Sequence, residues 1–181
     1  MITTFYQMRN DYLIEGLVSL IKYVSGGKDL KQLQMIEIGS YTGESTQVFA
    51  KYFGKVVSVD PFENGYDMND LACHHADFNI VYDKFLDNMK EFSNVFYVRK
   101  KSDDAFEDFK GQRYDFVYID GMHTYDQVKK DILNYKQLIK EDGFIGGHDY
   151  SGYWPDVVKA VDECLIKPDK VFQDTSWVKK I

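Results

Sequence analysis

Met35-Ile36-Glu37-Ile38-Gly39-Ser40-Tyr41-Thr42-Gly43-Glu44-Ser45 divides into three parts, and the fold follows from that division. Met35–Ile38 is a short apolar run stopped by a glycine, which reads as a strand. Gly39 and Gly43 bracket a turn in which the backbone is free to reverse tightly and approach a ligand. From Glu44 to Tyr52 neither Gly nor Pro intervenes, so a helix is expected. The same alternation recurs along the chain. Val56–Val59 and Val95–Val98 read as second and third strands. Tyr114–Ile119 is a fourth, and its near-continuous apolar character suits a strand covered on both faces. Gly143–Gly147 is a glycine-rich fifth, and Val171-Phe172 and Trp177-Val178 have strand character as well.

Helices are expected between these strands: near 79–92, around Phe106, and through Tyr125, Val128, Ile132 and Leu138. Pro155 suits the first position of another, which carries Val157, Val158, Val161 and Leu165. Residues 4–24 gather Leu13, Leu17, Leu20 and Ile21 on one face, and Gly26-Gly27 ends that helix. Strands alternating with helices predict an α/β fold, a Rossmann-like doubly wound sheet of seven strands, mostly parallel. Residues 1–181 read as a single domain, with an N-terminal helical segment at 1–30 and a variable connection at 61–94.

The chain has 181 residues, 44% of them hydrophobic and 28% charged, enough to build a core and too apolar for a disordered chain. A net charge of −7 and the lack of a basic stripe leave no footprint for nucleic acid. Arg99-Lys100-Lys101 is the densest basic spot. Two distant cysteines, Cys73 and Cys164, make neither a disulfide framework nor a zinc cluster and read as reduced thiols of a cytoplasmic protein. No signal-peptide pattern opens the chain, and its apolar runs are shorter than the ~20 residues that span a bilayer. Oligomeric state is not legible; a homodimer is one of the states left open.

In a doubly wound sheet, ligands bind beyond the carboxyl ends of the strands, so the residues after each strand are the candidates. The first turn departs from G-x-G-x-x-G, because Tyr41 and Glu44 replace the second and third glycines. Glu44 near a helix start also opposes a pyrophosphate. A nicotinamide-dependent oxidoreductase is therefore the disfavoured alternative. S-adenosylmethionine (SAM) carries no phosphate. Glu37 could meet its positive end, and the backbone of Gly39, Ser40, Tyr41 and Gly43 its carboxylate. Asp60, ending the second strand, suits the ribose hydroxyls of a nucleoside. Ser102 and Asp103, after the third, could reach an adenine amino group or cap a helix.

Asp120 and His123 follow the fourth strand, and His148, Asp149 and Tyr150 the fifth. Neighbouring strands lie about 5 Å apart, which would bring Asp120, His148 and Asp149 together. Two carboxylates and an imidazole suit either a divalent metal or acid–base work on a hydroxyl. His123, Tyr150, Tyr153 and Trp154 are candidates for the wall of an acceptor site, and His74 and His75 lie in the variable connection, where surface positions are expected.

Glu37-x-Gly39-x-x-x-Gly43 resembles motif I of class I SAM-dependent methyltransferases, with Tyr41 where the commoner form has a glycine. Ile119-Asp120-Gly121-x-His123-x-Tyr125-x-x-Val128-x-x-Asp131 and Gly143-x-Ile145-x-x-His148-Asp149-Tyr150 are similar to a family of small class I O-methyltransferases. That family includes sugar and natural-product enzymes and is related to the catechol and caffeoyl-CoA enzymes. The resemblance implies SAM as cofactor, O-methylation of a small molecule or sugar, and catalytic roles for Asp120, His148 and Asp149. Asp120 would also reach the cofactor. In metal-dependent relatives a divalent ion sits where Asp120, His148 and Asp149 stand. His148 departs from that pattern, since imidazole is a poor Mg²⁺ ligand; ligand, base and structural roles stay open for it. A non-catalytic SAM-binding module is a further alternative, against which the intact acids argue.

Overall fold

The computed structural model describes residues 2–65, 67 and 70–181, the side chains of 2–10, 71 and 72 excepted. Helix α1 (Ile2–Ser25) leads into β1 (Gln34–Ile38), α2 (Glu44–Tyr52) and β2 (Lys55–Val59). The connection to β3 (Val95–Val98) carries α3 (Leu71–His75) and α4 (Phe78–Met89). Then follow α5 (Ser102–Phe109), β4 (Tyr114–Ile119), α6 (Tyr125–Tyr135), β5 (Ile139–Gly147), α7 (Pro155–Leu165), β6 (Lys170–Val171) and β7 (Trp177–Lys180). No described helix is long and apolar enough to cross a membrane.

The seven strands form one sheet in the order β3-β2-β1-β4-β5-β7-β6. β1 to β5 are parallel; β7 runs antiparallel to both β5 and β6. The register is flush at one rim: Ile38 pairs with Val59 and Ile119, and Ile119 with Gly147. The residues following β1, β2, β4 and β5 therefore emerge side by side. The strand order reverses direction between β1 and β4, and that crevice is where open α/β sheets take their ligands. Because β7 runs the other way, with Trp177 opposite Gly147, the residues just before it stand at the same rim.

Alternation along the strands supplies two cores. Ile36, Ile38, Val117 and Ile119 face α5, α6 and α7, together with Ala105, Ile132 and Val161. Met35, Phe116 and Tyr118 face the other way, against Leu17 and Leu20 of α1 and Phe49 of α2. A smaller cluster of Phe62, Phe78, Val81, Phe85 and Met89 packs the connection between β2 and β3.

Three expectations are corrected in detail. β5 starts at Ile139 rather than Gly143; Asp142 takes φ 62°, and the pairing slips between Tyr114 and Phe116, so the polar stretch Lys140–Asp142 hides the strand's beginning. Leu138 belongs to a short 3₁₀ turn, not to α6. The connection holds a second helix, α3, whose five residues are too few to show a period.

Candidate active site

A cavity of about 670 Å³ opens at the flush rim. The turn after β1, the ends of β2, β4 and β5, Tyr12 and Leu13 of α1, and Asp174 before β7 all contribute to its walls.

The turn after β1 is close-packed. Gly39 takes φ 83°, and a Cβ there would lie 2.0 Å from the Asp120 carbonyl oxygen. Tyr41 stands at φ 47°, a left-handed conformation that a non-glycine residue holds only at a cost. The N–H groups of Ser40 and Tyr41 both donate to Asp60 Oδ2 at 3.0 Å, and that of Phe62 to Asp60 Oδ1 at 2.7 Å. Gly39 N donates to Val59 O and Gly43 N to Ser40 O. The expected use of these four N–H groups to bind a carboxylate is thus corrected: they are spent on the chain itself, as buried amides must be satisfied. The turn lines the cavity with Gly39, Ser40, Tyr41 and Thr42, and the buried Ser40 Oγ has no partner. Gly43 does not line the cavity; a Cβ on it would meet Met89 and Phe85.

Asp60 lines the cavity, 8% exposed. Burial raises its pKa, and the three N–H bonds oppose that rise. Each carboxylate oxygen has two acceptor positions, so one remains open on Oδ1 in this arrangement.

Glu37 is elsewhere. It is fully buried, does not line the cavity, and accepts from Ser45 Oγ and Thr46 Oγ1 at 2.5 Å each. Its expected contact with a cofactor is corrected to a strut between β1 and α2. Burial pushes its carboxyl up to about 8, against the two hydroxyl bonds.

After β3, Ser102 and Asp103 separate. Ser102 is buried at the start of α5, lines the cavity and accepts from Gln127 Nε2 at 3.1 Å. Asp103 does not line the cavity and pairs with Lys130 at 2.6 Å, because successive helix residues point about 100° apart.

Beyond the switch point lies a chain of alternating carboxylates and imidazoles. Asp67, in the connection after β2, accepts at Oδ2 from His123 N at 2.7 Å and faces His123 Nδ1 at 2.8 Å. His123 Nε2 lies 2.9 Å from Asp149 Oδ2. Asp149 Oδ1 lies 3.2 Å from His148 Nδ1, which in turn stands 3.9 Å from Asp120 Oδ1. The Trp154 indole stacks on His123 with centroids 4.0 Å apart. His148 Nε2 is buried without a partner.

The electrostatics follow from this alternation. Burial opposes the charge on His123, but hydrogen bonds to Asp149 and Asp67 outweigh it and push the imidazole up to about 10. Burial likewise opposes the charge on His148, and the charge of Asp120 and the bond to Asp149 push it to about 9. Burial raises Asp120 to about 6, against the pull of His148. Burial would raise Asp149 too, yet the hydrogen bonds from His123 and His148 hold it well below the usual carboxylate range.

His123 precedes α6, whose first residue is Tyr125, and both its nitrogens are committed to carboxylates. It lines the cavity, as expected of a substrate-facing residue, and at the same time orients Asp149 and ties down the connection. Tyr150 is turned away, donating to Asp162 Oδ1 at 2.8 Å, and Tyr153 is 93% exposed; neither lines the cavity. Trp154 does. His74 and His75 are exposed and outside the cavity, while Cys73 lines it.

Among the described residues, one group of three offers ligand atoms within 4.8 Å of one another: Asp120, His123 and Asp149. His148 is not in it. His123 already presents each nitrogen to a carboxylate, and an ion there would have to displace Asp149 from Nε2. The donor set of one imidazole and two carboxylates suits iron, manganese or zinc better than Mg²⁺. The residues do not fit a resident Mg²⁺.

Asp67 and Asp174 escaped sequence reasoning. Nothing in the local pattern of the connection marks Asp67. Asp174 stands one residue before the Thr175-Ser176-Trp177-Val178 segment, and its place at the rim depends on β7 running back beside β5.

NovP, described as an O-methyltransferase, shares this fold at a TM-score of 0.65 and 16% identity, over 93% of this chain and 79% of its own. CalS11, described as a TDP-rhamnose 3'-O-methyltransferase of calicheamicin biosynthesis, aligns at 0.62 and 11%, over 92% and 78%. The fibrillarin pre-rRNA processing protein of Methanococcus jannaschii aligns at 0.58 and 13%, over 83% and 66%. At such identities these likenesses speak for the fold alone. No curated protein matches the chain in sequence. A family profile described as a methyltransferase domain matches residues 36–150, from within β1 through Tyr150. The match takes in the turn after β1, Asp60 and the whole acid–imidazole chain, so the chain belongs to the methyltransferase-domain family and is a SAM-dependent methyltransferase.

Proposed function

We propose that this chain transfers the methyl group of SAM to a hydroxyl of a small molecule or sugar, working as one domain over residues 1–181 in the cytoplasm. The observation that carries the reading is continuity. One cavity runs from Ser40, Asp60 and Ser102 to Asp120, His123, His148 and Asp149, and its volume lies within the ~300–1,000 Å³ usual for small-ligand sites. A small acceptor also suits a net charge of −7 better than a nucleic acid does.

The cofactor half fits a nucleoside without phosphates. The amides of Gly39, Ser40, Tyr41 and Gly43 are engaged, and Glu44 in the first turn of α2 opposes a diphosphate at that helix start. Asp60 Oδ1 keeps one acceptor position for a ribose hydroxyl, and Ser102 is in place beyond it. Ser40 Oγ, buried and unpaired, supplies a hydrogen bond to the amino-acid end. SAM brings a methyl group already activated by its sulfonium. The chain's main contribution is to hold the acceptor oxygen in line with it.

The acceptor proton falls to His148. Asp149 faces its Nδ1 at 3.2 Å, which fixes the ring hydrogen there and leaves Nε2, without a protein partner, to take the proton. Asp149 is itself oriented by His123, and Asp120 lies beside them. Trp154 forms an aromatic wall on this side. The descriptions of NovP and CalS11 support a hydroxyl acceptor; fibrillarin, with the same sheet, is a reminder that fold does not choose the acceptor.

The test is calorimetry with SAM and NAD in parallel, followed by transfer of labelled methyl from SAM to hydroxylated small molecules. SAM should bind and NAD should not. Binding of NAD in place of SAM, or label delivered only to nitrogen or carbon acceptors, overturns the reading.

A further inference from the structure

The far wall of the cavity is closed by the turn between β6 and β7, and there stands Asp174, 5% exposed and lining the cavity. Its turn is fixed beside the acid–imidazole chain, since Tyr150 N donates to Thr175 O. Asp174 Oδ1 accepts from Ser176 N at 3.2 Å and Oδ2 from Ser176 Oγ at 2.7 Å. Among the described residues no Lys or Arg pairs with it. A carboxylate this deep, with only the His148 imidazolium near enough to offset it, is expensive to bury. The fold makes room for it deliberately: a Cβ on Gly16 of α1 would lie 2.0 Å from Asp174 Cγ, so only glycine lets the helix pass against the carboxylate. Tyr12 and Leu13, one turn earlier in α1, line the same cavity.

The charge of the lining points the same way. Seven of the lining residues are Asp or Glu, two are His, and none of those described is Lys or Arg. A cleft whose walls carry such an excess of one sign favours ligands of the other sign and disfavours its own. On the same side as Asp174, His148 Nε2 is buried without a partner in the cavity wall, a second polar atom there that awaits a ligand.

We propose that Asp174 anchors the methyl acceptor through a hydroxyl or ammonium hydrogen, and that the acceptor brings no phosphate or carboxylate into the cleft. The proposal rests on the methyl-transfer reading above and narrows it to neutral, polyhydroxylated or amine-bearing acceptors. A donor hydrogen on a buried carboxylate makes a charge-assisted bond, stronger than one between neutral groups. Asp174 touches the acceptor in this scheme, while Gly16 acts only by leaving it space.

A set of small hydroxylated compounds divided into cationic, neutral and anionic pools, each incubated with labelled SAM, tests the class. Label should enter the cationic or neutral pool and stay at background in the anionic one. For the first acceptor identified, Asp174→Asn should raise KM at least tenfold while the Kd for S-adenosylhomocysteine stays within twofold. Gly16→Ala, which keeps the charge but displaces the carboxylate, should raise KM in the same direction and guards against a fold defect in the first variant. Label confined to the anionic pool, or an unchanged KM in both variants, overturns the proposal and leaves methyl transfer standing. Failure of SAM to bind, read by calorimetry, brings down the methyl-transfer reading itself, so the two failures are told apart.

Discussion

Glu37→Gln distinguishes a buried strut from a cofactor ligand, and its size follows from the structure. Glu37 is fully buried, meets only the hydroxyls of Ser45 and Thr46, and is pushed from the usual 4.5 up to about 8. In the unfolded chain it ionises near its ordinary value; in the folded chain it keeps its proton until about pH 8. The folded state therefore binds the proton more tightly, and stability falls as pH rises between those values. At 1.36 kcal/mol per pKa unit, the loss between pH 5 and pH 8 is about 3–4 kcal/mol. Glutamine has the shape of the protonated acid and can both donate to one hydroxyl and accept from the other, but it does not titrate. Urea unfolding of both proteins at pH 5, 6.5 and 8 should show the variant gaining about 3 kcal/mol on the wild type across the range. The Kd for SAM should stay within twofold at pH 7. Parallel pH dependences for the two proteins refute the buried-strut account, and a tenfold loss of SAM affinity restores Glu37 to the cofactor site.

Asp60→Ala should weaken SAM binding roughly tenfold or more, about 1.4 kcal/mol, by calorimetry; unchanged affinity removes Asp60 from the site. His123→Ala should lower kcat about tenfold without altering the Kd for S-adenosylhomocysteine, and should make the connection between β2 and β3 more sensitive to protease; an unaltered digestion pattern contradicts the tether. Because His148 must be neutral to accept a proton and holds its own up to about pH 9, kcat/KM should climb from pH 7 towards pH 9, and a flat profile excludes it as base. Activity should survive EDTA and gain nothing from Mg²⁺; loss on chelation would put an ion back among Asp120, His123 and Asp149.

The sheet was legible because its strands are short apolar runs closed by turn residues, and because crossover helices imply parallel neighbours. The meeting of Asp120 with His148 and Asp149 followed from the adjacency of β4 and β5 alone. Glu37 was misread although alternation carries the answer: Ile36 and Ile38 enter one core and Met35 the other, so Glu37 shares Met35's face, beneath α2. Asp103 was misread for want of a helix boundary, since only Ser102 begins α5 facing the crevice. Tyr150 and Tyr153 looked like walls by composition, but aromatic character does not say which way a ring points. Asp67 and Asp174 were not legible at all, because their places come from long-range closure of the chain.

The bond from Asp67 to His123 ties the connection after β2 to the chemistry. Any excursion that lifts the connection after β2 takes a carboxylate away from His123, which then holds Asp149 less firmly and lets His148 turn. A substitution at Asp67 would thus reach the proposed base through two intervening side chains without touching it.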